Sequence, residues 1–394
     1  MSALEEFRAE ARAWLEEHCP PGARGPGETS SGGNKVPIRD ADTKRWLEAC
    51  AEVGYTVPNW PKEYGGAGLD KDEFLVLLDE MRRIRARAPL AGMGVTMIGP
   101  TLLEYGNEDQ KQRHLPRIAR GEIRWCQGYS EPGAGSDLAS LRTRAEDKGD
   151  HFVVNGQKIW TSGAQYADWI FCLTRTDPDA PKHEGISFLL FTMDQPGVTV
   201  KPIRLISGTS PFCETFFDDA IAKKEDLVYE LNKGWTVAKR LLQHERSGIS
   251  RLASGGRERA VGRPLAEVAR VYLGEESGHI AHASIRDGIV RQNINQRAFA
   301  LTQRRTVEES EGAKTPGPAT SIFKLYGANM RKNASELQMA IRGNAGLGWE
   351  GDGFTEEDLA ATRTWLGGKA GSIAGGTNEV QLNIIAKRVL GLPD

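Results

Sequence analysis

Cysteine is sparse in this chain: five residues in 394, Cys19, Cys50, Cys126, Cys172 and Cys213, odd in number, far apart and without a Cys-x-x-Cys pair. That excludes a disulfide-framed secreted scaffold and a cysteine-built zinc or redox site, and it reads as reduced thiols in a reducing compartment. Long apolar runs are missing too. None nears the roughly 18 residues needed to cross a bilayer, and Met1 to Glu17 mixes acidic and basic side chains, unlike a targeting leader. The expectation is a cytoplasmic protein with no membrane partner. Nor is charge of one sign in excess: 51 basic against 53 acidic residues give a net charge of -2, so nothing marks a nucleic-acid partner. A ligand carrying phosphates has to be met by local groups. No internal repeat is visible.

The length fits about two or three packed units, enough for an enzyme. Leu4, Phe7, Ala11, Trp14 and Leu15 fall at helical spacing and predict a surface helix ended by Pro20 and Pro21. Residues 22–34 are rich in Gly, Ser and Pro and read as a loop, and helical patterning resumes at Thr43 and runs to about Arg120. Between about Trp125 and Val228 the period changes. Phe152-Val-Val154, Trp169 to Leu173, Ile186 to Phe191 and Thr215-Phe-Phe217 are short β-prone runs divided by turn residues. After Gly234-Trp235 helical spacing returns, as in Ile322, Leu325, Tyr326, Met330, Ala334, Leu337 and Ile341. The order predicts an α+β protein: an N-terminal α-helical domain over 1–122, a central β domain over 123–234 and a C-terminal α-helical bundle over 235–394.

The most informative string is Gln127-Gly-Tyr-Ser-Glu-Pro-Gly-Ala-Gly-Ser-Asp137. Its glycines and proline force a turn with accessible backbone, whose amides can meet a pyrophosphate or a flavin edge while Ser130 and Ser136 add hydroxyls. Alone it reads equally well as a surface turn, since it has neither the lysine of a P-loop nor the spacing of a dinucleotide fingerprint. It is not alone. Asn155-Gly-Gln-Lys-Ile-Trp-Thr-Ser-Gly163 follows, and with Tyr129 to Asp137 it resembles the paired flavin-binding strands of the acyl-CoA dehydrogenase family. Trp60-Pro-Lys-Glu-Tyr-Gly-Gly66, Gly106-Asn-Glu-Asp-Gln-Lys111 with Leu115-Pro116, Phe217-Asp-Asp219, Asn232-Lys-Gly-Trp235 and Gly375-Gly-Thr-Asn-Glu-Val-Gln381 extend the resemblance over nearly the whole chain.

The resemblance implies FAD as cofactor and an acyl-CoA thioester as substrate, dehydrogenated between its α and β carbons to trans-2-enoyl-CoA. Gln127, Ser130, Gly135 and Ser136 match the family's loop along the flavin, Ser136 also lying near the CoA portion. Trp160 and Ser162 match positions beside the isoalloxazine ring, with core packing the lesser alternative for a tryptophan there. Thr377 and Glu379 match positions that touch FAD. Many members place a glutamate base just before the terminal Gly-Thr, where this chain has Ala374-Gly375; a second group keeps the base in a Glu-Arg pair on a helix of the last domain. Gln243-His-Glu-Arg246 stands at that place, so Glu245 is the candidate base, with Gln243 and Arg246 on the substrate side. Outside the resemblance, a Glu-Arg pair is usually a solvated helix surface.

The chemistry needs a carboxylate, because the α C–H is weakly acidic and its proton must be taken while the β hydrogen leaves as hydride. Adjacent helical residues do not face one another, which frees Glu245 from neutralisation by Arg246 and turns His244 away into a structural position. His279 and His282, with Glu275 and Glu276 nearby, lack a further ligand set, and no metal is expected. The Phe-Gly that follows an arginine in many members is absent here, and Arg286 and Arg291 are the candidates for reaching a neighbouring subunit's FAD. The resemblance further implies a homodimer or homotetramer, an electron-transfer flavoprotein as acceptor, and often a branched or bulky acyl group. Two other readings stand beside it: a non-catalytic or half-site subunit of a heteromeric acyl-CoA dehydrogenase, and an oxygen-using flavin oxidase or monooxygenase of the same fold.

Overall fold

The protein is described here from a computed structural model that covers residues 2–246, 263–309 and 320–393; the side chains of 243–246, 304, 306–309 and 320 lie outside the described residues. The chain forms two compact units, one of residues 1–203 and 211–260, the other of 204–210 and 261–394.

The first unit opens with α1 (Ala3–His18), α2 (Ala41–Glu52), α3 (Lys71–Arg83), α4 (Gly99–Tyr105) and α5 (Glu108–Ala119). Their starts are written locally. Ser2, Asp70 and Asn107 accept amides of the first turn, while Glu5, Glu73 and Gln110 reach back to the cap backbone, which satisfies donors a helix start would otherwise leave orphaned. Ala11 and Leu15 of α1 and Leu77 and Met81 of α3 meet Trp46 and Cys50 of α2 in one core. Leu4, which shares the periodic stripe of α1, stays 39% exposed.

Seven strands follow: β1 (Trp125–Gly128), β2 (Arg144–Asp147), β3 (His151–Ser162), β4 (Trp169–Arg175), β5 (Ile186–Thr192), β6 (Val198–Ile203) and β7 (Phe212–Lys223). They form one sheet in the order β1-β4-β2-β3-β7-β6, with β5 also pairing with β4. The β1–β4 and β2–β4 pairs are parallel and the others antiparallel. Continuous apolar runs in β4 and β5 are buried on both faces, as such runs require. The helix α6 (Gly234–Arg246) sends Val237, Ala238 and Leu241 into the core shared by α4, α5 and the sheet.

Several motif residues prove to be joints. Gln110, fully buried, caps α5 and donates its Nε2 to the carbonyls of Glu225 (2.7 Å) and Leu227 (2.8 Å), fastening α5 to the segment after β7. Asn155 and Asp219 exchange two hydrogen bonds of 2.8 and 2.9 Å where β3 and β7 break register at Val154/Gly156. Asn232 receives the Thr176 hydroxyl and gives its amide to Ser187 Oγ at 2.9 Å.

Glu80 of α3, 2% exposed, accepts from Arg12 (2.9 Å twice), Arg83 (2.7 Å) and Arg8 (3.0 Å). The Arg12 hydrogen bonds, helped by Arg83 and Arg8 against the cost of burial, hold its carboxyl down at about 2. An unfolded glutamate titrates near ~4.3, so the unfolded chain binds the extra proton first and this contribution is complete above that pH and lost as pH falls toward 2. About two pH units set a ceiling of roughly 3 kcal/mol, lowered by solvent around the arginines. Urea unfolding at pH 5 and pH 3 is expected to show a smaller drop for Glu80→Gln than for the parent; equal drops overturn the assignment.

The second unit holds α7 (Leu265–Leu273), the short hairpin β8 (Glu275–Glu276) and β9 (His279–Ile280), α8 (Ala283–Glu309), α9 (Thr320–Arg342), α10 (Glu356–Gly368) and α11 (Asn378–Ile384). Val268, Ala269, Ile280, Ile285, Ile289 and Ile341 form its core. Beside it, buried Asp358 accepts from Tyr272, Thr355 and Arg342. Among the described residues no helix is long and apolar enough to cross a membrane.

Candidate functional site

The glycine-rich string forms a closed turn with an open crown. Glu131 and Ala134 exchange backbone hydrogen bonds of 3.0 Å in both directions, and the Ser130 carbonyl accepts the Ile159 amide at 2.9 Å, tying the turn to β3. Beyond that tie there is open space beside the turn: a Cβ built at Gly133 or Gly135 would meet no heavy atom within 4 Å. Ser136 is exposed and Ser130 half-buried. Beneath the turn Tyr129 stands edge-on to Phe171 and Phe188, at 6.0 and 6.4 Å between ring centres.

An ion pair holds the turn's base. Lys158 Nζ, with no exposed surface, lies 2.8 Å from Glu131 Oε1 and donates to the Tyr129 carbonyl at 3.0 Å. The Glu131 carboxylate also accepts the amides of Arg142 (2.7 Å) and Thr143 (2.8 Å). Burial works against its ionisation, but the lysine charge and these hydrogen bonds outweigh that and hold it below the ordinary carboxylate range.

Just past Lys158, β3 loses register with β7 until Thr161. In this bulge Trp160 sits at φ 61°, in the left-handed region, and is 52% exposed, standing edge-on to Phe212 at 6.0 Å. Core packing is therefore not its role. A bulky residue held there costs about 1–3 kcal/mol and marks strain kept for a purpose. Ser162 is half-buried, while Thr161 Oγ1 and Gln127 Nε2 are buried with no hydrogen-bond partner among the described residues. Orphaned polar atoms of this kind call for an absent partner.

In the second unit Thr377 is the N-cap of α11, accepting the Val380 amide. Glu379 is exposed, and its own amide and the Thr377 hydroxyl hold its carboxyl below the ordinary value. Gln381, 2% exposed, has an Nε2 with no hydrogen-bond partner among the described residues. Arg286 donates to the Ile280 carbonyl, and Arg291 pairs with Asp287 at 2.8 Å. His282 meets Ser284, and His279 is exposed on β9. The last turn of α6 carries Gln243, His244, Glu245 and Arg246, whose side chains lie outside the described residues.

Sequence profiles decide the family. The profile described as acyl-CoA dehydrogenase, N-terminal domain, matches residues 2–122; the middle-domain profile matches 126–220, and the C-terminal-domain profile 232–390. The chain belongs to the acyl-CoA dehydrogenase family. A Mycobacterium tuberculosis relative, acyl-CoA dehydrogenase IpdE1, is 38% identical over 399 residues, covering 100% of this chain and 99% of the relative. Among solved structures, the Tcur3481-Tcur3483 steroid ACAD superposes with a TM-score of 0.76 at 34% identity, over 100% of this chain and 98% of that one. The ChsE4-ChsE5 complex from Mycobacterium tuberculosis gives a TM-score of 0.73 at 31% identity, over 100% and 98%.

Membership makes this chain an acyl-CoA dehydrogenase-type oxidoreductase of lipid metabolism, in a family of flavoproteins. The residues present fit a flavin. An exposed indole, an open glycine turn and a Gln127 Nε2 without a partner among the described residues suit a flat ring system with hydrogen-bonding edges. The sequence singles out Gln127, Ser130, Gly135 and Ser136 in this turn and assigns nothing to Gly133, Glu131 or Lys158. The available signal was a lysine inside a strand otherwise patterned for burial.

Proposed function

We infer that this chain binds FAD and dehydrogenates an acyl-CoA across its α and β carbons, giving trans-2-enoyl-CoA. The observation that carries this is the open glycine turn, joined through the Ile159 amide to the strand that carries the strained, exposed Trp160. Gln127, Ser130, Gly135, Ser136, Trp160 and Ser162 would hold the cofactor, and Thr377 and Glu379 are assigned to FAD by their match to the family's terminal motif. FAD, when bound, supplies the acceptor for the β hydride. Ser136, Gln243 and Arg246 orient the thioester, and Glu245 takes the α proton. A carboxylate beside an apolar acyl chain holds a proton more tightly, which suits a base for a weak carbon acid. The domain limits 1–122, 123–234 and 235–394 belong to the same reading, as does an electron-transfer flavoprotein as acceptor. The steroid enzyme among the structural neighbours favours a bulky, steroid-derived acyl group over a straight chain.

A second reading concerns assembly. Both structural neighbours are named as pairs of different chains, which supports a heteromer in which this chain supplies part of the site as the alternative to a homodimer or homotetramer. One preparation tests both readings. The purified chain is expected to be yellow and to release FAD, not FMN, on acid extraction, with light scattering giving a dimer or tetramer mass. Stoichiometric FMN overturns the cofactor assignment. A colourless chain that turns yellow only when co-purified with a second chain of the family selects the heteromer.

A further inference from the structure

A lysine with no exposed surface is costly to bury, and an apolar pair of similar volume at such a site usually leaves a fold as stable or more so. Stability is thus a weak reason for Lys158 and Glu131 to be here. What the charged pair does that an apolar pair cannot is fix directions. Lys158 binds both Glu131 and the Tyr129 carbonyl, and Glu131 binds the Arg142 and Thr143 amides where the chain leaves the turn. The next residue, Ile159, holds the Ser130 carbonyl. Lys158 is also the last residue of β3 paired in register, opposite Thr215, before the break that holds Trp160 at positive φ.

We propose that Lys158 and Glu131 are a positioning pair, which locks the glycine turn to the Trp160 bulge and so presents the FAD-binding backbone and indole as one preformed surface. Preformation lowers the ordering cost of binding, so its loss appears in affinity before it appears in folding. The proposal rests on the flavin reading and adds to it a role for two buried residues.

The test replaces the pair by apolar groups of similar size, Glu131→Leu with Lys158→Met, and measures FAD release from the purified protein by flavin fluorescence, its visible spectrum, and thermal unfolding. The double variant is expected to unfold within a few degrees of the parent, while its FAD dissociation constant rises at least about tenfold and the bound-flavin bands lose their resolved shoulders. A dissociation constant within about threefold of the parent, with the parental spectrum, overturns the proposal. If the double variant does not fold, Glu131→Gln decides by the same measurements, because it keeps shape and loses the ion pair; parental affinity there also overturns it. A parent that binds no FAD, either alone or co-purified with a second chain of the family, fails the flavin reading itself, and this proposal with it.

Discussion

Replacing Glu245 with glutamine is expected to lower the rate at which an acyl-CoA bleaches the bound flavin by about 10²–10⁴-fold, the size typical of a lost general base. Glutamine keeps the volume and much of the hydrogen bonding but cannot take a proton. FAD content and acyl-CoA affinity are therefore expected to change little, so that the loss falls on the chemical step. Gly375→Glu in the same background places a carboxylate where the other group of the family has it. Gly375 has open space where a Cβ would stand, although its φ of 68° strains any side-chain-bearing residue. Partial recovery of the rate is expected from that double variant. Flavin reduction by Glu245→Gln within a few fold of the parent means that another group is the base.

The largest expected effect on stability comes from Gly66→Ala. A Cβ at Gly66 would lie 2.1 Å from the Trp60 carbonyl oxygen and 2.5 Å from its carbon. Both are backbone atoms that no rotamer change can move. Trp60 is itself 3% exposed and packs in the core that α4, α5 and the sheet share. Relief requires shifting the whole turn, so the substitution is expected to cost more than about 3 kcal/mol, in the range reserved for forced backbone changes and overpacked cores. Denaturant midpoints of parent and variant measure it. A loss below about 1 kcal/mol would show that the turn moves freely.

Much of this protein is legible from its sequence because the signals are local. The stripe Ala11–Leu15 and the apolar runs of β4 and β5 each lie within one or two turns or within a single strand, so spacing alone predicts their type. The turn from Tyr129 to Asp137 is likewise announced by its own glycines and proline. Roles that depend on a distant partner are not legible in that way. Gln110 finds its acceptors 115 and 117 residues on, Asn155 meets Asp219 across 64, and Lys158 meets Glu131 across 27. Nothing in the spacing of either partner encodes the other.

Trp160 shows the same division at one residue. Its type and its place in the motif come from the sequence, which favours the cofactor reading but leaves core packing as an alternative. Only the broken register between β3 and β7 exposes its indole and forces the left-handed backbone that no tryptophan prefers. Local order by itself determined the elements and the family, through periodicity and motif. The tertiary structure decided which motif residues are joints and which face outward, because burial, ion pairing and strain are set by groups far apart in the chain.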